Sequence, residues 1–555
     1  MKLMRLKLLS EFRGLAKGFE IDFTNSENTS NSIEPICLIG LNGSGKSNVL
    51  EVISEIFFYL EMFKSANKND LKKYNYEFGF EIEYILPRSV YLEQINISGD
   101  KNLISDENYQ MRIFKECNKT PFLRVLSNNE LFFIDDVELV QDALSLPSQV
   151  IGYSSGMNEL ISNPYIKMDF QYLGDFNKFA NDKADLFDSI EDNRLFFMDY
   201  DANKLITICN FLFDTSFDKD NENTQMGIIN LSTVKKELKL EKLYSFSLSI
   251  KLKDNNSLPI KIPSFLNLAI ENLKKCSTVF DEIKIENKEP YTMYEFYFYV
   301  NDMTKQLFKN YFKSARELFK TFYYLRLLNN HLIGKDTQYK IKNIKENINI
   351  SALLPKYEES KKVFNISDIS FKKNKIIKPV YYKQLSDGEH QFLHVIGTLL
   401  LMDKLGTLFL FDEPETHFNP EWRSKFVSII NDILLDEEQH MYREQELVLT
   451  THSPFIVSDC KKENVYIFEK DSSLKVKIPK NPEFQTFGTS IEMIYWNVFQ
   501  KQQSISNVAK NELDKIEIKI KSNELNKEQA IDALRKLGDS FEKMNIIRLL
   551  REKYK

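Results

Sequence analysis

Apolar residues in the first 156 positions recur with the spacing of short strands and one helix. Strands are predicted at 2–9, 19–24, Ile36–Ile39, 76–86 and Val150–Gly156. Between the third and fourth of these strands, a glycine-rich turn leads into a segment from about Ser47 to Phe63 whose apolar spacing predicts a helix. A strand, a glycine-rich turn and a helix in this order predict the start of an α/β core.

The pattern is less regular farther along the chain. From about 157 to 375 aromatic residues are frequent, and helical spacing is clear only over stretches such as 305–330. Strands of the buried type resume at Thr407–Phe411 and Leu447–Thr450. The charged end of the chain, 485–555, predicts helices, with Gly538 as a helix stop and Asp539 or Ser540 capping the last helix.

Composition and charge limit the classes of protein to which the chain can belong. With 555 residues, 43% of them hydrophobic, the chain can form more than one domain. Its net charge of −6 means that any contact with nucleic acid needs a local basic patch. Five scattered cysteines fit a reducing cytosol, and we recognise neither a secretory signal nor an apolar run near the roughly 20 residues of a membrane span. We therefore expect a cytoplasmic protein without membrane contact.

Eight consecutive residues, from Gly40 to Ser47, fit the phosphate-binding pattern GxxxxGK[ST]. Glycines let backbone N–H groups turn toward the phosphates, the lysine adds a cation, and the hydroxyl ligates Mg²⁺. The turn lies between an apolar strand and a helix whose positive end adds to the site. We predict ATP and Mg²⁺ as cofactors, with the nucleotide bound by Gly40, Asn42, Gly43, Ser44, Gly45, Lys46, Ser47 and Asn48.

A second group of chemical residues lies more than 350 positions later. An apolar strand ends in two acids: Asp412 is placed to hold the Mg²⁺ shell, and Glu413 to orient or deprotonate the attacking water. His452 follows the next apolar run and can bond the γ-phosphate. We predict Ser47 and Asp412 as metal ligands, and Glu413, His452 and Lys46 as catalytic residues.

The segment Ser386-Asp387-Gly388-Glu389 precedes a helix from about Glu389 to Met402. Ser386 is placed to cap this helix, and the amide-rich helix start suits a γ-phosphate. Taken alone, the segment is better explained as an ordinary capped helix.

The order of these motifs resembles the ATPase heads of the ABC superfamily, with Ser386–Glu389 in the place of the LSGGQ signature. The resemblance implies a homodimer that sandwiches ATP, in which Ser386, Asp387, Gly388 and Glu389 act in trans on the partner's P-loop. Asp387 stands where the pattern has glycine, which implies weaker or slower closure. Gln94 is a candidate for the family's Q-loop glutamine.

Finer motifs resemble one branch of that superfamily. The segment 412–420, DEPETHFNP, resembles the DEPExHLHP of RecF-like and OLD-like ATPases, whereas transporters carry DEPTSALD. YSSG at 153–156, LSDGEHQFLH at 385–394 and LGDSFEK at 537–543 resemble the ATPases typified by PtuA of Septu and some retron defence systems. That resemblance implies a partner HNH nuclease (PtuB-like) and, in retron versions, a reverse transcriptase with its RNA-linked DNA.

Because the two halves of the nucleotide site flank the middle of the chain, we interpret the middle as an insertion into one core. The predicted fold class is α/β, an ABC-type P-loop ATPase head with a large, partly helical insertion and a helical C-terminal region. The predicted domains are 1–156, the N-terminal lobe with the P-loop; 157–375, the insertion; 376–484, the C-terminal lobe; and 485–555, the helical region.

Other functions stay open. The chain is also compatible with a RecF/SMC-like DNA-repair ATPase, with a nuclease whose site lies within 157–375, and with a nucleotide sensor that does not hydrolyse. An OLD-like ATPase–nuclease is a further alternative, although the DxD cluster that its Toprim domain needs does not follow Glu469 and Asp471.

One segment, 305–345, departs from the overall acidity. It contains ten lysine and arginine residues against Glu317 and Asp336, and its phenylalanines recur at helical spacing. We expect one buried face and one positive face. The candidates for nucleic-acid contact are Lys305, Lys309, Lys313, Arg316 and Lys320; the competing explanation is a solvated basic face or one paired with an acidic partner.

Overall fold

A computed structural model of the chain describes residues 1–24, 35–66, 77–94, 108–127, 130–156, 159–179, 193–216, 229–253, 264–286, 291–343, 348–436, 441–442, 444–499 and 505–554. The strands are β1 Lys2–Leu8, β2 Glu20–Asp22, β3 Ile36–Gly40, β4 Phe80–Leu86, β5 Tyr109–Lys115, β6 Phe122–Ser127, β7 Glu130–Ile134, β8 Gln149–Ser154, β9 Leu195–Met198, β10 Leu240–Lys253, β11 Val279–Ile285, β12 Tyr291–Tyr299, β13 Phe364–Lys373, β14 Val380–Tyr381, β15 Thr407–Asp412, β16 Leu435–Asp436, β17 Met441–Tyr442, β18 Glu446–Thr451 and β19 Val465–Phe468. The helices are α1 Lys46–Lys64, α2 Arg88–Gln94, α3 Val137–Ala143, α4 Asn163–Phe179, α5 Tyr200–Phe213, α6 Ser232–Leu238, α7 Ser264–Cys276, α8 Asp302–Phe312, α9 Ala315–Leu327, α10 Lys335–Asn343, α11 Asp387–Leu401, α12 Pro420–Leu434, α13 Pro454–Ser458, α14 Ile491–Asn497, α15 Asn507–Lys521, α16 Lys527–Arg535 and α17 Phe541–Lys553.

A parallel sheet of six strands, in the order β19-β3-β18-β15-β8-β9, forms the centre of the fold. Strands β3, β15 and β18 are buried along their whole length, as expected for continuous apolar runs that are covered on both faces. Its register sets Asp412 opposite both Ser154 and Thr450, and Thr451 opposite Ile39. The loops that follow β3, β8, β15 and β18 therefore meet at one edge of the sheet.

Helix α1 lies between this sheet and a second, antiparallel sheet with the order β2-β1-β4-β5-β6-β7. Fifteen of its nineteen residues are buried, which is the pattern of a helix covered on all sides. Rings of α1 contact rings of the second sheet, as in the Phe57–Tyr84 pair with centroids 5.7 Å apart. The predicted strands at 2–9 and 19–24 are confirmed, and that at 76–86 is confirmed for Phe80–Leu86; residue 76 lies outside the described residues.

The range 157–375 contributes to two parts of the molecule. Its strands β10 to β13, with β14, form a third sheet in the order β11-β12-β10-β13-β14. Helix α8 covers this sheet through Phe308, which lies against Phe246 and Phe298. Strand β9, however, is the edge strand of the parallel sheet, and α5 packs on α11 of the C-terminal lobe. The domain limits remain predictions, but the central sheet draws on the predicted insertion too.

The helix expected over 305–330 is two helices. Helix α8 ends at Phe312, and α9 begins at Ala315 after Ser314, whose hydroxyl accepts the N–H of Glu317. The break lies at Lys313, which has φ +63°, outside the helical region. The predicted buried face is confirmed: Phe308, Phe312, Ala315, Phe319 and Phe322 are all buried.

The predicted helical end is also confirmed. Helices α15, α16 and α17 share an apolar core of their own, separate from the main core among the described residues. Ser540 caps α17 by accepting the N–H of Lys543, as one of the two predicted caps. Within the described part of the chain, no helix combines the length and the apolar character needed to cross a membrane.

Candidate functional site

The segment Gly40–Ser47 connects β3 to α1 as a loop that only glycine permits at three positions. Gly40, Gly43 and Gly45 all have positive φ, at +147°, +73° and +99°. A Cβ on Gly40 would lie 2.4 Å from the carbonyl oxygen of Phe468, and one on Gly45 would lie 2.8 Å from Val476. The loop is thus held against β19 and the segment that follows it, with its backbone turned into the geometry of a phosphate cradle.

Lys46 is buried, and its ammonium is bonded within the site. Its Nζ donates to the carbonyl oxygens of Gly40 and Leu41, each at 3.1 Å, and lies 3.0 Å from Nε2 of His452. Burial lowers the pKa of Lys46 to about 8, against the attraction of Glu413 and Asp412. The ammonium remains charged at neutral pH, and a phosphate that binds here replaces two carbonyl oxygens as its acceptor.

Asp412 is the centre of a ring of hydroxyl groups. Its Oδ1 accepts from Ser47 at 2.8 Å and from Thr450 at 2.6 Å, and its Oδ2 lies 3.5 Å from Ser154 Oγ. A hydroxyl and a buried carboxylate at this separation are the hard oxygen ligands that Mg²⁺ takes together with substrate phosphates. The residues present therefore fit the predicted Mg²⁺ ligands, Ser47 and Asp412. Among the described residues no group of three or more His, Cys, Asp or Glu is arranged to hold a metal ion by itself.

Glu413 has a backbone conformation that is unusual for a side chain of its size. Its φ of +49° lies in the left-handed region, and its N–H donates to Thr450 Oγ1 at 3.0 Å. The side chain turns outward, with Oε1 3.5 Å from His452 Nε2 and Oε2 within 3.4 Å of the Thr416 hydroxyl. The carboxylate is held at the open side of the site, where an attacking water can reach it.

His452 is neutral in this arrangement. Burial and then the charge of Lys46 lower the pKa of His452 to about 4. An ammonium has donors only, so Nε2 accepts from Lys46 and the ring proton lies on Nδ1. The structure thus brings Lys46, Ser47, Asp412, Glu413 and His452 together from three distant segments; their catalytic roles remain predictions.

The signature segment begins helix α11 as predicted. Ser386 and Glu389 form a reciprocal capping box, with the Ser386 N–H 2.8 Å from Glu389 Oε2. Burial would raise the pKa of Glu389, but its ion pair with Lys373, at 2.7 Å, holds that pKa below the ordinary value. Asp387 is exposed, and Gly388 packs so closely that a Cβ would lie 2.8 Å from the carbonyl oxygen of His417.

In a single chain the signature does not meet its own P-loop. Across the described ranges, no hydrogen bond or ion pair joins Ser386–Glu389 to Gly40–Asn48. The amide of Asn48 instead donates to the carbonyl oxygen of Arg13 at 2.7 Å.

The position of Gln94 overturns its candidacy as the Q-loop glutamine. Its side chain bonds the N–H and carbonyl of Leu146 and accepts from Arg194. Leu146 precedes β8, whereas Ser154 at the end of β8 borders Asp412, about 20 Å away along a six-residue strand. Gln94 lies at the opposite edge of the sheet, because sequence order alone does not show at which end of a strand a neighbouring helix packs.

Sequence reasoning missed four hydroxyl residues of the site: Ser154, Ser155, Thr416 and Thr450. Ser155 Oγ lies 2.9 Å from Thr416 Oγ1, which also donates to the Glu413 carbonyl. Their signal was present in the segments YSSG and TTHSP, each at the end of an apolar run. What the sequence lacks is the register that sets these strand ends side by side.

The basic candidates are partly engaged within the chain. Arg316 forms an ion pair with Asp403 at 2.5 Å, and Lys320 lies over the ring of Tyr324 at 5.9 Å. Lys305 and Lys309 belong to α8, and Lys313 lies at the break after it. Lys345 is outside the described residues. Contact of this face with nucleic acid remains a prediction.

Comparison with known proteins shows which family the chain resembles over part of its length. The family described as "AAA domain, putative AbiEii toxin, Type IV TA system" matches residues 168–458, a little more than half of the chain. The match includes the signature, both acids and His452. Protein ea59 of Escherichia phage lambda is 28% identical over 160 residues, which are 28% of this chain and 28% of that protein.

Proposed function

The chain belongs to the AAA domain family that residues 168–458 match, and from this premise we propose that it is a Mg²⁺-dependent ATPase of the ABC type that closes around ATP as a dimer. The family supports ATPase activity and a P-loop α/β fold. The observation that carries the proposal is the convergence of Lys46, Ser47, Asp412 and Glu413 at one edge of the parallel sheet.

The chain's own groups divide the work of hydrolysis. Lys46 exchanges its bonds to the carbonyls of Gly40 and Leu41 for the β- and γ-phosphate oxygens. Glu413 orients the attacking water and accepts its proton. Once Lys46 has turned to the phosphates, neutral His452 donates to the γ-phosphate from Nε2, with its ring proton moved there from Nδ1. Ser47 and Asp412 would hold Mg²⁺, which would supply positive charge against that of the phosphates.

The second copy completes the pocket through its signature. Ser386 and Gly388 stand at the positive end of α11, and in the described part of the chain no hydrogen bond or ion pair joins that helix start to Gly40–Asn48. Asp387 adds a negative charge in the same turn, which weakens closure on a triphosphate and favours slow turnover.

In its finer form, the proposal places this ATPase in a bacterial antiphage complex with a partner HNH nuclease (PtuB-like), in some cases together with a retron reverse transcriptase and its RNA-linked DNA. The motifs YSSG, LSDGEHQFLH and LGDSFEK support this reading. ATP can bias such an assembly only by its differential affinity for the closed state. Co-purification with the products of neighbouring genes, with and without ATP, tests it; a RecF-like repair ATPase would bring down no nuclease.

The decisive experiment traps the closed state. Glu413→Gln keeps the side-chain shape but removes the base, so with ATP and Mg²⁺ it should elute as a dimer by light scattering, with hydrolysis reduced at least ~100-fold. Lys46→Ala should neither bind ATP nor dimerise, and chelation of Mg²⁺ should stop turnover in the wild type. ATP hydrolysis that survives both substitutions would refute the proposal.

A further inference from the structure

Glu415 is a fully buried acid that the proposed chemistry does not use. It lies three residues after Asp412, in the loop between β15 and α12, and is only 4% exposed. Its Oε1 accepts a hydrogen bond from the hydroxyl of Thr451, while Oε2 is buried without a hydrogen-bond partner among the described residues. A buried acid with one oxygen unsatisfied is costly, so its contact with Thr451 calls for an explanation.

Thr451 connects Glu415 to the residues on either side of His452. Its hydroxyl donates to Glu415, and the same oxygen accepts the N–H of Ser453 at 2.9 Å. His452 is the residue between these two anchors. From this geometry we propose that Glu415 is a positioning residue for His452, which it holds through Thr451 at the distance needed to bond the γ-phosphate.

The contact between Glu415 and Thr451 is one of two neighbouring hydrogen bonds that join the loop after β15 to the end of β18. In the loop after β15, Glu413 donates its N–H to the hydroxyl of Thr450, and two residues later Glu415 accepts from Thr451. Two acids of one loop are thereby fixed to two successive threonines at the end of β18. A displacement of the loop that carries Glu413 therefore moves the loop that carries His452.

An apolar side chain would serve packing at lower cost, because a buried polar group can often be replaced by a hydrophobic one without loss of stability. Burial also raises the pKa of Glu415 to about 7, so near neutral pH a large share of this acid is uncharged. An uncharged acid keeps a carbonyl acceptor for Thr451. Glutamine also has a carbonyl acceptor for Thr451, whereas leucine has none. Comparing the two substitutions therefore distinguishes a role in positioning His452 from a role in packing alone.

The inference rests on the proposed ATPase function and is tested with Glu415→Gln and Glu415→Leu in the full chain. We expect Glu415→Leu to lower kcat about tenfold or more while the Kd for ATP changes less than about threefold, since the loss affects the chemical step. Glu415→Gln should stay within about threefold of wild-type kcat. In the double variant Glu415→Leu/His452→Ala, kcat should equal that of His452→Ala alone, because both changes remove one function.

Glu446 provides the matched control. It is also buried, burial raises its pKa to about 7 as well, and it lies at the other end of β18, away from the site. Glu446→Leu should change thermal stability as Glu415→Leu does, but leave kcat per folded molecule unchanged.

A readout without turnover keeps the test independent of hydrolysis. The imidazole NMR signal of His452, assigned by its loss in His452→Ala, should shift in Glu415→Leu and stay in place in Glu446→Leu. Any one of four results would overturn the inference. The first two are an unmoved His452 signal and a wild-type kcat in Glu415→Leu. The others are a Glu415→Gln variant as impaired as the leucine variant, and additive effects in the double variant. If Lys46→Ala and Glu413→Gln both left ATP turnover unchanged, that result would instead overturn the proposed function, and the His452 signal would still test the contact with Glu415.

Discussion

Burial acts in the same direction on Lys46 and His452, which lie 3.0 Å apart: it lowers the pKa of both. With a pKa of about 8 for the lysine and about 4 for the histidine, the pair carries one charge at neutral pH. The charge is that of the lysine ammonium, which can bind a phosphate. The neutral imidazole can both donate and accept a hydrogen bond.

The lowered pKa of Lys46 predicts how ATP affinity depends on pH. Since the ammonium binds phosphate and the neutral amine does not, affinity should fall as pH rises above about 8, by up to about tenfold per pH unit. Calorimetric titration from pH 7 to 9.5 measures the slope. Lys46→Arg is the control: an arginine stays charged throughout, so its affinity, weaker or not, should be flat over that range. A flat wild-type curve would contradict the assignment.

At the scale of elements, the first turn of α11 is fixed against the loop after β15. A Cβ on Gly388 would lie 2.8 Å from the backbone oxygen of His417, which cannot yield as a flexible side chain would. Lys373 bonds Glu389 in the same turn, so the third sheet, the signature helix and the loop of Glu413 are joined.

Gly388→Ala should therefore lower both the unfolding temperature and ATP turnover. The overlap costs about 1–3 kcal/mol, against a gain of at most about 1 kcal/mol that alanine brings to a helix interior. Gly334→Ala is the matched control, because a Cβ there meets nothing within 4 Å. Thermal unfolding and steady-state ATPase assays compare the two; equal values for both variants would show that the close approach is not rigid.

Local sequence patterns predicted the central strands and the candidate site residues, because each motif directly adjoins an apolar run long enough to be recognised as a strand or a helix. Strand β9 was missed because its four residues, LFFM, lie in a region where aromatic residues are common throughout. The break at Lys313 was missed because helical spacing continues on both sides of it. The hydroxyl ring around Asp412 depends on strand register, which no local pattern contains.

At the scale of the whole molecule, α15 to α17 form a unit with its own apolar core. Residues buried there include Leu513, Ile520, Leu534 and Leu550, and none belongs to the main core. The proposed ATP site precedes this unit in the chain. So does Phe499, whose ring centroid lies 6.1 Å from that of His452.

Removal of residues 505–555 should therefore leave ATP binding and the main unfolding transition in place. Calorimetry should show the loss of a minor transition of roughly 35 kcal/mol, the enthalpy expected for about 50 ordered residues. The full-length protein, which should show both transitions, serves as the reference. Loss of ATP binding in the shortened chain would mean that the unit supports the site.

The strand order of the parallel sheet has a consequence for how the protein is made. Strand β3 lies between β18 and β19, so the partners of a strand near residue 40 are synthesised more than 400 residues later. At roughly 5–20 residues per second on the ribosome, an apolar segment waits roughly 20–85 s for them. The nascent chain therefore exposes unpaired, aggregation-prone strand for that time, and its yield in a cell should depend on chaperones that bind such segments.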